Sequence, residues 1–443
     1  MPNAKNKRLL VSTVDAWSQQ NGSDTMPTLL KGYNPNFVRG MYLRAELSDY
    51  CSAKYFYHFF ESRLIRSIWN RRVETGEVFS PFDLSNAVSD KDLSEEKQLY
   101  SPGMLRFRSF FSILREFVWK FGKWKTPQLN TFLDEFGPEV MVFPIESYIH
   151  FNTINSYIVG KYHPRAIGIL WDDNFTYKQS HKLLHTIHRY FLRKSVRRLI
   201  AQCDTVFAFS PKMKREADAE FGINCQLLSK PMREGAAYHP KSSKWPLRIL
   251  YTGKLYIGRD EVLAQIAEAI EKFNGNEKYF VLDIYTGTTL KPKMRERFAR
   301  LTSCRLHNSV PQSEVVNLQL DSDILLFAES LSRKNLTARL SFSTKLTDYF
   351  SAGRCIWAVG NEDLGPVSYI KEEDAGVVST NIEEINEALL TLKKVDIVEE
   401  YGKKAFECGL RRHNPCVIRE RLRKEIDAEE VYSDDNKHSA IIN

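Results

Sequence analysis

The sequence predicts an α/β protein built from two doubly wound domains, each a parallel sheet wrapped by helices. Three observations carry this. Short apolar runs of strand length alternate with segments whose apolar residues recur at helical spacing, in both halves of the chain. At 443 residues the chain exceeds what one hydrophobic core holds, so two or three domains are expected. The polar, proline-bearing stretch 230–246, with Pro231, Pro240, Ser242, Ser243 and Pro246, reads as the linker between them.

In the first half, residues 8–14 (RLLVSTV) form a first strand, followed by a turn at Asn21-Gly22-Ser23. Segments 54–72 and 105–125 read as helices rich in aromatics, with Arg and Lys on the other face. That composition suits helices in a membrane interface, and it also suits sheet-covering helices that snorkel their cations to water. Residues 132–136 close a helix, and 139–143 form a strand running into Glu146. A further strand at 166–171 ends in Asp172-Asp173-Asn174. Ligands bind at the C-terminal ends of strands in doubly wound sheets, which places Glu146, Asp172 and Asp173 at a crevice. Turn or cap roles remain the alternative for the two aspartates. His181, His185 and His188 share one face of a helix over 181–200. The same helix also carries Lys182, Arg189, Arg193, Lys194, Arg197 and Arg198 and lacks an H-E-x-x-H pattern, so a solvated basic face is the reading. A strand at 205–210 ends in serine.

The second half opens with the strand 247–250, which turns through Gly253-Lys254 and Arg259 into a helix over 261–273 with Val262, Leu263, Ile266 and Ile270 on one face. A strand that turns through glycine into a helix, with two cations at the turn, can hold phosphates: the helix N-terminus offers free N–H groups and a positive dipole end. A capped amphipathic helix follows at 343–353, beginning Ser343-Thr344-Lys345 and ending at Gly353, with Asp348 one turn inside. An acidic residue there suits a ribose diol, and a surface pairing of Lys345 with Asp348 is the plain alternative. The strand 355–360 comes next.

Together these segments resemble the nucleotide-sugar half of GT-B glycosyltransferases, specifically retaining family 4, from about residue 247 to 378 and more weakly before. The family's G-R-L-x-x-x-K-G reads here Gly253-Lys254-Leu255-Tyr256-Ile257-Gly258-Arg259-Asp260, with the cations exchanged in type. Its P-S-K-x-x-E-Y-L-A-x-G reads Ser343-Thr344-Lys345-Leu346-Thr347-Asp348-Tyr349-Phe350-Ser351-Ala352-Gly353, with aspartate for the ribose-binding glutamate. Residues 280–287 resemble the second strand, Asn308-Ser309-Val310-Pro311 the turn facing the base, and 323–327 the strand before the signature. Two departures stand out: the family's first signature glutamate falls on Leu340, and Trp171-Asp172-Asp173 lacks the histidine that contacts the transferred sugar in some members.

The resemblance implies two Rossmann-like domains facing a cleft: an acceptor domain over 1–238, a nucleotide-sugar domain over 246–405, helices over 406–430 returning to the first domain, and a loose tail over 431–443. It implies a glycosyltransferase moving a sugar from a nucleotide-sugar donor to a glycan or lipid-linked acceptor in polysaccharide assembly, with retention. The alternative is an inactive protein of the same shape that binds nucleotide-sugar or glycan. Catalysis is expected at Asp172, Asp173, Lys254 and Arg259. Donor binding is expected at Gly22, Ser23, Gly253, Lys254, Arg259, Val310, Ser343, Thr344, Lys345 and Asp348. No metal or cofactor is expected, because the two cations and a helix dipole stabilise the leaving diphosphate.

Charge and cysteine usage bound the setting. Of 63 Lys+Arg and 55 Asp+Glu, residues 1–245 hold 35 and 24, a net of +11, leaving 28 and 31, a net of −3. A basic first half suits an anionic membrane surface or acceptor. Nucleic acid is not expected, since no helix-turn-helix, zinc-finger spacing or RNP-like pattern occurs. No run of 18 apolar residues or signal-peptide pattern is present, and the 7 scattered cysteines lack a C-x-x-C. The expected location is the cytoplasm, peripheral to the inner membrane face.

Overall fold

The computed structural model describes residues 6–18, 25–44, 47–83, 94–95, 108–179, 183–336 and 338–429. The predicted turn with Gly22 and Ser23, together with Arg106, His181 and the tail 431–443, lies outside the described residues.

Two sheets are present. The first contains β1 (Leu9–Ser12), β2 (Val38–Tyr42), β3 (Tyr55–Phe59), β4 (Gly76–Phe79), β5 (Val140–Pro144), β6 (Arg165–Leu170), β7 (Thr205–Ala208) and β8 (Gln226–Leu227), in the order β4-β3-β2-β1-β5-β6-β7-β8. All its pairings are parallel except β3 with β4. The second contains β9 (Leu247–Thr252), β10 (Phe280–Thr286), β11 (Cys304–Asn308), β12 (Ile324–Ala328), β13 (Cys355–Val359) and β14 (Val377–Ser379), in the order β11-β10-β9-β12-β13-β14, all parallel. Runs such as Leu9–Ser12 and Ile324–Ala328 are buried along their whole length, as parallel strands covered by helices on both faces must be.

Strand order reverses between β1 and β5 in the first sheet and between β9 and β12 in the second. Such switch points open a crevice at the strand C-termini, and both crevices belong to the site described below.

The stretch 54–72, expected as one helix, is a correction. Residues 55–59 (YFYHF) form β3, and only Glu61–Ser67 is helical. Consecutive aromatics suit a strand buried on both faces: Phe56, Tyr57, Phe59 and Phe60 are all sealed from water, so they cannot lie in a membrane interface. The other aromatic-basic segment is helical over Arg108–Phe121.

Residue 405, expected to end the second domain, falls inside the helix Val395–Arg412. The segment that returns to the first domain is the last helix, Pro415–Asp427, which begins under an Asn414 cap. It buries Ile418, Leu422 and Ile426, and Glu425 accepts hydrogen bonds from Arg165 (2.9 Å) and Thr205 (2.7 Å) of β6 and β7.

Candidate functional site at the two switch points

On the second sheet, β9 ends in Gly253 and the chain turns through Ile257 and Gly258, both at positive φ, into the helix Arg259–Asn274. Arg259, the first residue of that helix, donates to Glu329 from Nε (2.9 Å to Oε2) and from Nη2 (2.5 Å to Oε1). Glu329 follows the last residue of β12, so this bidentate pair spans the switch point. Burial works against the Arg259 charge, but the hydrogen bonds and charge of Glu329 outweigh it and raise the pKa.

Lys345 completes the cluster from the helix Thr344–Ala352. Its ammonium lies 4.6 Å from the Tyr251 ring centroid. A Cβ at Gly253 would overlap Lys345 Nζ, so glycine is required there for the amine to approach. Burial, then the Arg259 charge, pushes the Lys345 amine down to about 8 despite Glu329. Arg259 is paired with Glu329, and Lys345 is near enough to be influenced by both charges, so two cations face one carboxylate, which suits a site that takes up a further anion.

The start of the same helix strengthens this. Ser343 is the cap residue but makes no side-chain cap bond, leaving the first-turn N–H groups without a hydroxyl acceptor. Asp348 is half-buried one turn inside, and Val310 is half-buried just past the end of β11. Lys254 is exposed on the turn, and its carbonyl accepts from the Tyr251 hydroxyl at 3.0 Å. Lys345 is thus the half-buried cation influenced by Arg259, whereas Lys254 is exposed. The one D-x-D of this domain that would suggest a metal site, Asp321 and Asp323, is remote: Asp323 precedes β12, at the far end from the strand C-termini, and is held by Arg248 N–H (2.8 Å) and Lys241 (2.9 Å).

On the first sheet, the β1 and β5 ends supply Asp15 and Glu146. They line a cavity of about 370 Å³ together with Trp17, Arg44, Tyr148, Trp171 and Asp172, which Phe342 and Thr344 of the second domain complete. Glu146 accepts from the Trp171 indole N–H at 3.0 Å. Its half-buried carboxyl is raised to about 8, by removal from water first and then by the charges of Asp172 and Asp15. Asp172 Oδ1 accepts from the Ser341 hydroxyl of the other domain at 2.5 Å.

Asp173 requires a correction. It is buried, and its carboxylate accepts from Thr176 N–H at 3.0 Å and from the Thr176 hydroxyl. It also faces Arg339 Nε at 3.8 Å and does not line the cavity. With its oxygens committed to a turn and a domain contact, it serves the fold. Leu340, where the family places a sugar-binding glutamate, is fully buried and joins the apolar cluster of the first domain. Next to it, Arg339 makes a bidentate pair with Glu216 of the helix Pro211–Phe221. These two residues dock the second domain onto the first.

Sequence reasoning missed Glu329, Asp15 and Arg44. Glu329 carries a readable signal, as the first residue after an apolar parallel strand. Arg44 reaches the site through contacts distant in sequence, 2.7 Å to Asp15 and 2.8 Å to the Tyr148 hydroxyl.

No protein-family model matches the chain, and no curated protein matches it by sequence. Solved structures do match. The chain is similar to the apo structure of OtsA at 11% identity and a TM-score of 0.56, covering 96% of this chain and 100% of that one. It is similar to an α,α-trehalose 6-phosphate synthase from Burkholderia multivorans at 9% identity and a TM-score of 0.56, covering 95% and 98%. It is also similar to TarM at 13% identity and a TM-score of 0.51, and there the match covers 67% of this chain but only 57% of TarM. These likenesses establish the architecture: two facing Rossmann-like domains with the last helix crossing back, the GT-B fold of glycosyltransferases.

Proposed function

We propose that this protein is a glycosyltransferase that moves a sugar from a nucleotide-diphosphate donor to a glycan or lipid-linked acceptor in polysaccharide assembly. The carrying observation is the cluster of Arg259, Lys345 and Glu329 at the second switch point, beside a helix start without a side-chain cap. The donor diphosphate takes the two cations and the helix N–H groups, and Asp348 and Val310 address the ribose and base. As the bond between the anomeric carbon and the phosphate oxygen breaks, negative charge grows on the diphosphate. Lys345, Arg259 and the helix dipole stabilise that charge without a metal ion. Retention at the anomeric carbon is supported by the likeness of the two donor segments to family 4.

The acceptor lies over the first domain, with Asp172 and Glu146 at its reacting hydroxyl. A peripheral membrane position is supported by two contacting helices. Arg108–Phe121 exposes Leu114, Phe117 and Phe121, and Leu183–Ile200 exposes Leu183, Leu184, Ile187, Tyr190 and Phe191 beside Lys194 and Arg198. Apolar side chains ringed by cations suit an anionic lipid surface. No described helix is long and apolar enough to cross a membrane.

The second reading, a binding protein that has lost catalysis, is favoured by Leu340 and by the missing histidine at Trp171-Asp172-Asp173. Incubation with UDP-, GDP- and ADP-sugars in excess chelator separates the two. Release of nucleoside diphosphate from one donor is the expected result. Tight donor binding with no turnover, with or without Mg²⁺, would establish the inactive protein.

A further inference from the structure

We infer that the cavity between the domains admits an uncharged or amino sugar and excludes sugars carrying phosphate or carboxylate. This rests on the reading above that the cleft receives the acceptor. Three carboxyl groups, Asp15, Glu146 and Asp172, line the cavity, and among the described residues Arg44 is the one cation that lines it. That cation is already committed, with Nη1 2.7 Å from Asp15 and Nη2 donating to the Tyr148 hydroxyl at 2.8 Å. An incoming anion would meet carboxylates and find no free lining cation. Glu146, raised first by removal from water and then by the charges of Asp172 and Asp15, keeps its proton to about pH 8, so near neutrality it is an uncharged donor and the repulsion of an anion comes from Asp15 and Asp172.

The remaining chemistry is that of a sugar site. Carboxyl oxygens accept from ring hydroxyls, and an ammonium on an amino sugar gains a favourable charge. Trp17 and Trp171 give the apolar wall that the C–H face of a pyranose packs on. Trp17 is only 2% exposed, and its indole N–H has no hydrogen-bond partner among the described residues. A buried donor without a partner on a cavity wall is costly unless a ligand oxygen or a water meets it.

Saturation-transfer NMR on the full chain tests this with glucose, galactose, mannose, glucosamine, glucose 6-phosphate and glucuronate, each at equal concentration near neutral pH. The neutral and amino sugars should give transfer at least about fivefold above the two anionic ones, the discrimination that a single screened like-charge contact supplies. The double variant Asp15→Asn, Asp172→Asn should narrow that gap. Equal or stronger transfer to the anionic sugars in the unmodified protein, or no transfer to any sugar, overturns the inference. Nucleoside-diphosphate binding measured on the same sample keeps the outcomes apart. Bound nucleotide without charge discrimination removes this inference alone, whereas absent nucleotide binding removes the functional reading beneath it.

Discussion

Arg259 and Glu329 form a two-point ion pair, 2.9 Å and 2.5 Å, that ties the helix after β9 to the end of β12 across the switch point of the second sheet. Glu329 occupies the guanidinium edge that the proposed donor site would offer to a phosphate. Glu329→Gln removes this competitor, and nucleoside-diphosphate affinity should tighten a few-fold by calorimetry. The same change leaves Arg259 and Lys345 uncompensated, so thermal unfolding should show a loss of about 1–3 kcal/mol. An unchanged affinity would mean that Arg259 does not meet phosphate.

Lys345 gives the site a pH dependence. Its amine is pushed down to about 8, chiefly by burial, so it is charged at neutral pH and loses its proton as pH rises through that value. In the proposed donor site the charged form is the one that binds diphosphate. Affinity should therefore be full near neutrality and decline between about pH 7 and about pH 9.5. Lys345→Arg should flatten the profile, because guanidinium holds its proton throughout. A decline that persists in the arginine variant would assign the titration to another group.

Leu340 is an apolar plug between the domains, fully buried in the apolar cluster of the first. Truncating such a fully buried leucine typically costs about 2–5 kcal/mol. Leu340→Ala, and more strongly Leu340→Glu, should loosen the domains, seen as a larger radius of gyration in X-ray scattering. Arg339→Ala should act in the same direction by stranding Glu216 and Asp173. Scattering curves superimposable on the unmodified protein would remove the docking role.

The exposed apolar face of the helices Arg108–Phe121 and Leu183–Ile200 should bind anionic vesicles at low salt and release them at high salt. Each cation near such a surface contributes about 1 kcal/mol. Leu184→Glu with Phe191→Glu should abolish flotation while leaving nucleotide affinity intact. Equal flotation of variant and unmodified protein would place the contact elsewhere.

Much of the second domain was legible because its signals are local. The strand, glycine turn and helix from residue 247 to 274, and the capped helix ending at Gly353, follow from periodicity and end residues. The parts that were not legible depend on strand order. Glu329 becomes a partner of Arg259 only because β12 lies beside β9, 70 residues away in sequence. Lys254 and Arg259 read as the two cations of the turn, and spacing does not say that the fold half-buries Lys345 near Arg259 as well. The segment 54–72 misled because a run of aromatics fits a covering helix as well as an inner strand, and the neighbours of β3 decide between them. Asp173 sat at a strand end as expected, yet its oxygens were taken by Thr176 and faced by Arg339, a contact made only when the domains close.

Calorimetry of UDP, GDP and ADP against the unmodified protein and the Arg259→Ala and Lys345→Ala variants tests donor binding most directly. Charge-assisted phosphate contacts contribute about 1.5–3 kcal/mol each, so each variant should lose at least about tenfold in affinity for the nucleotide that binds. Unchanged affinity in both variants would contradict a diphosphate site at this switch point.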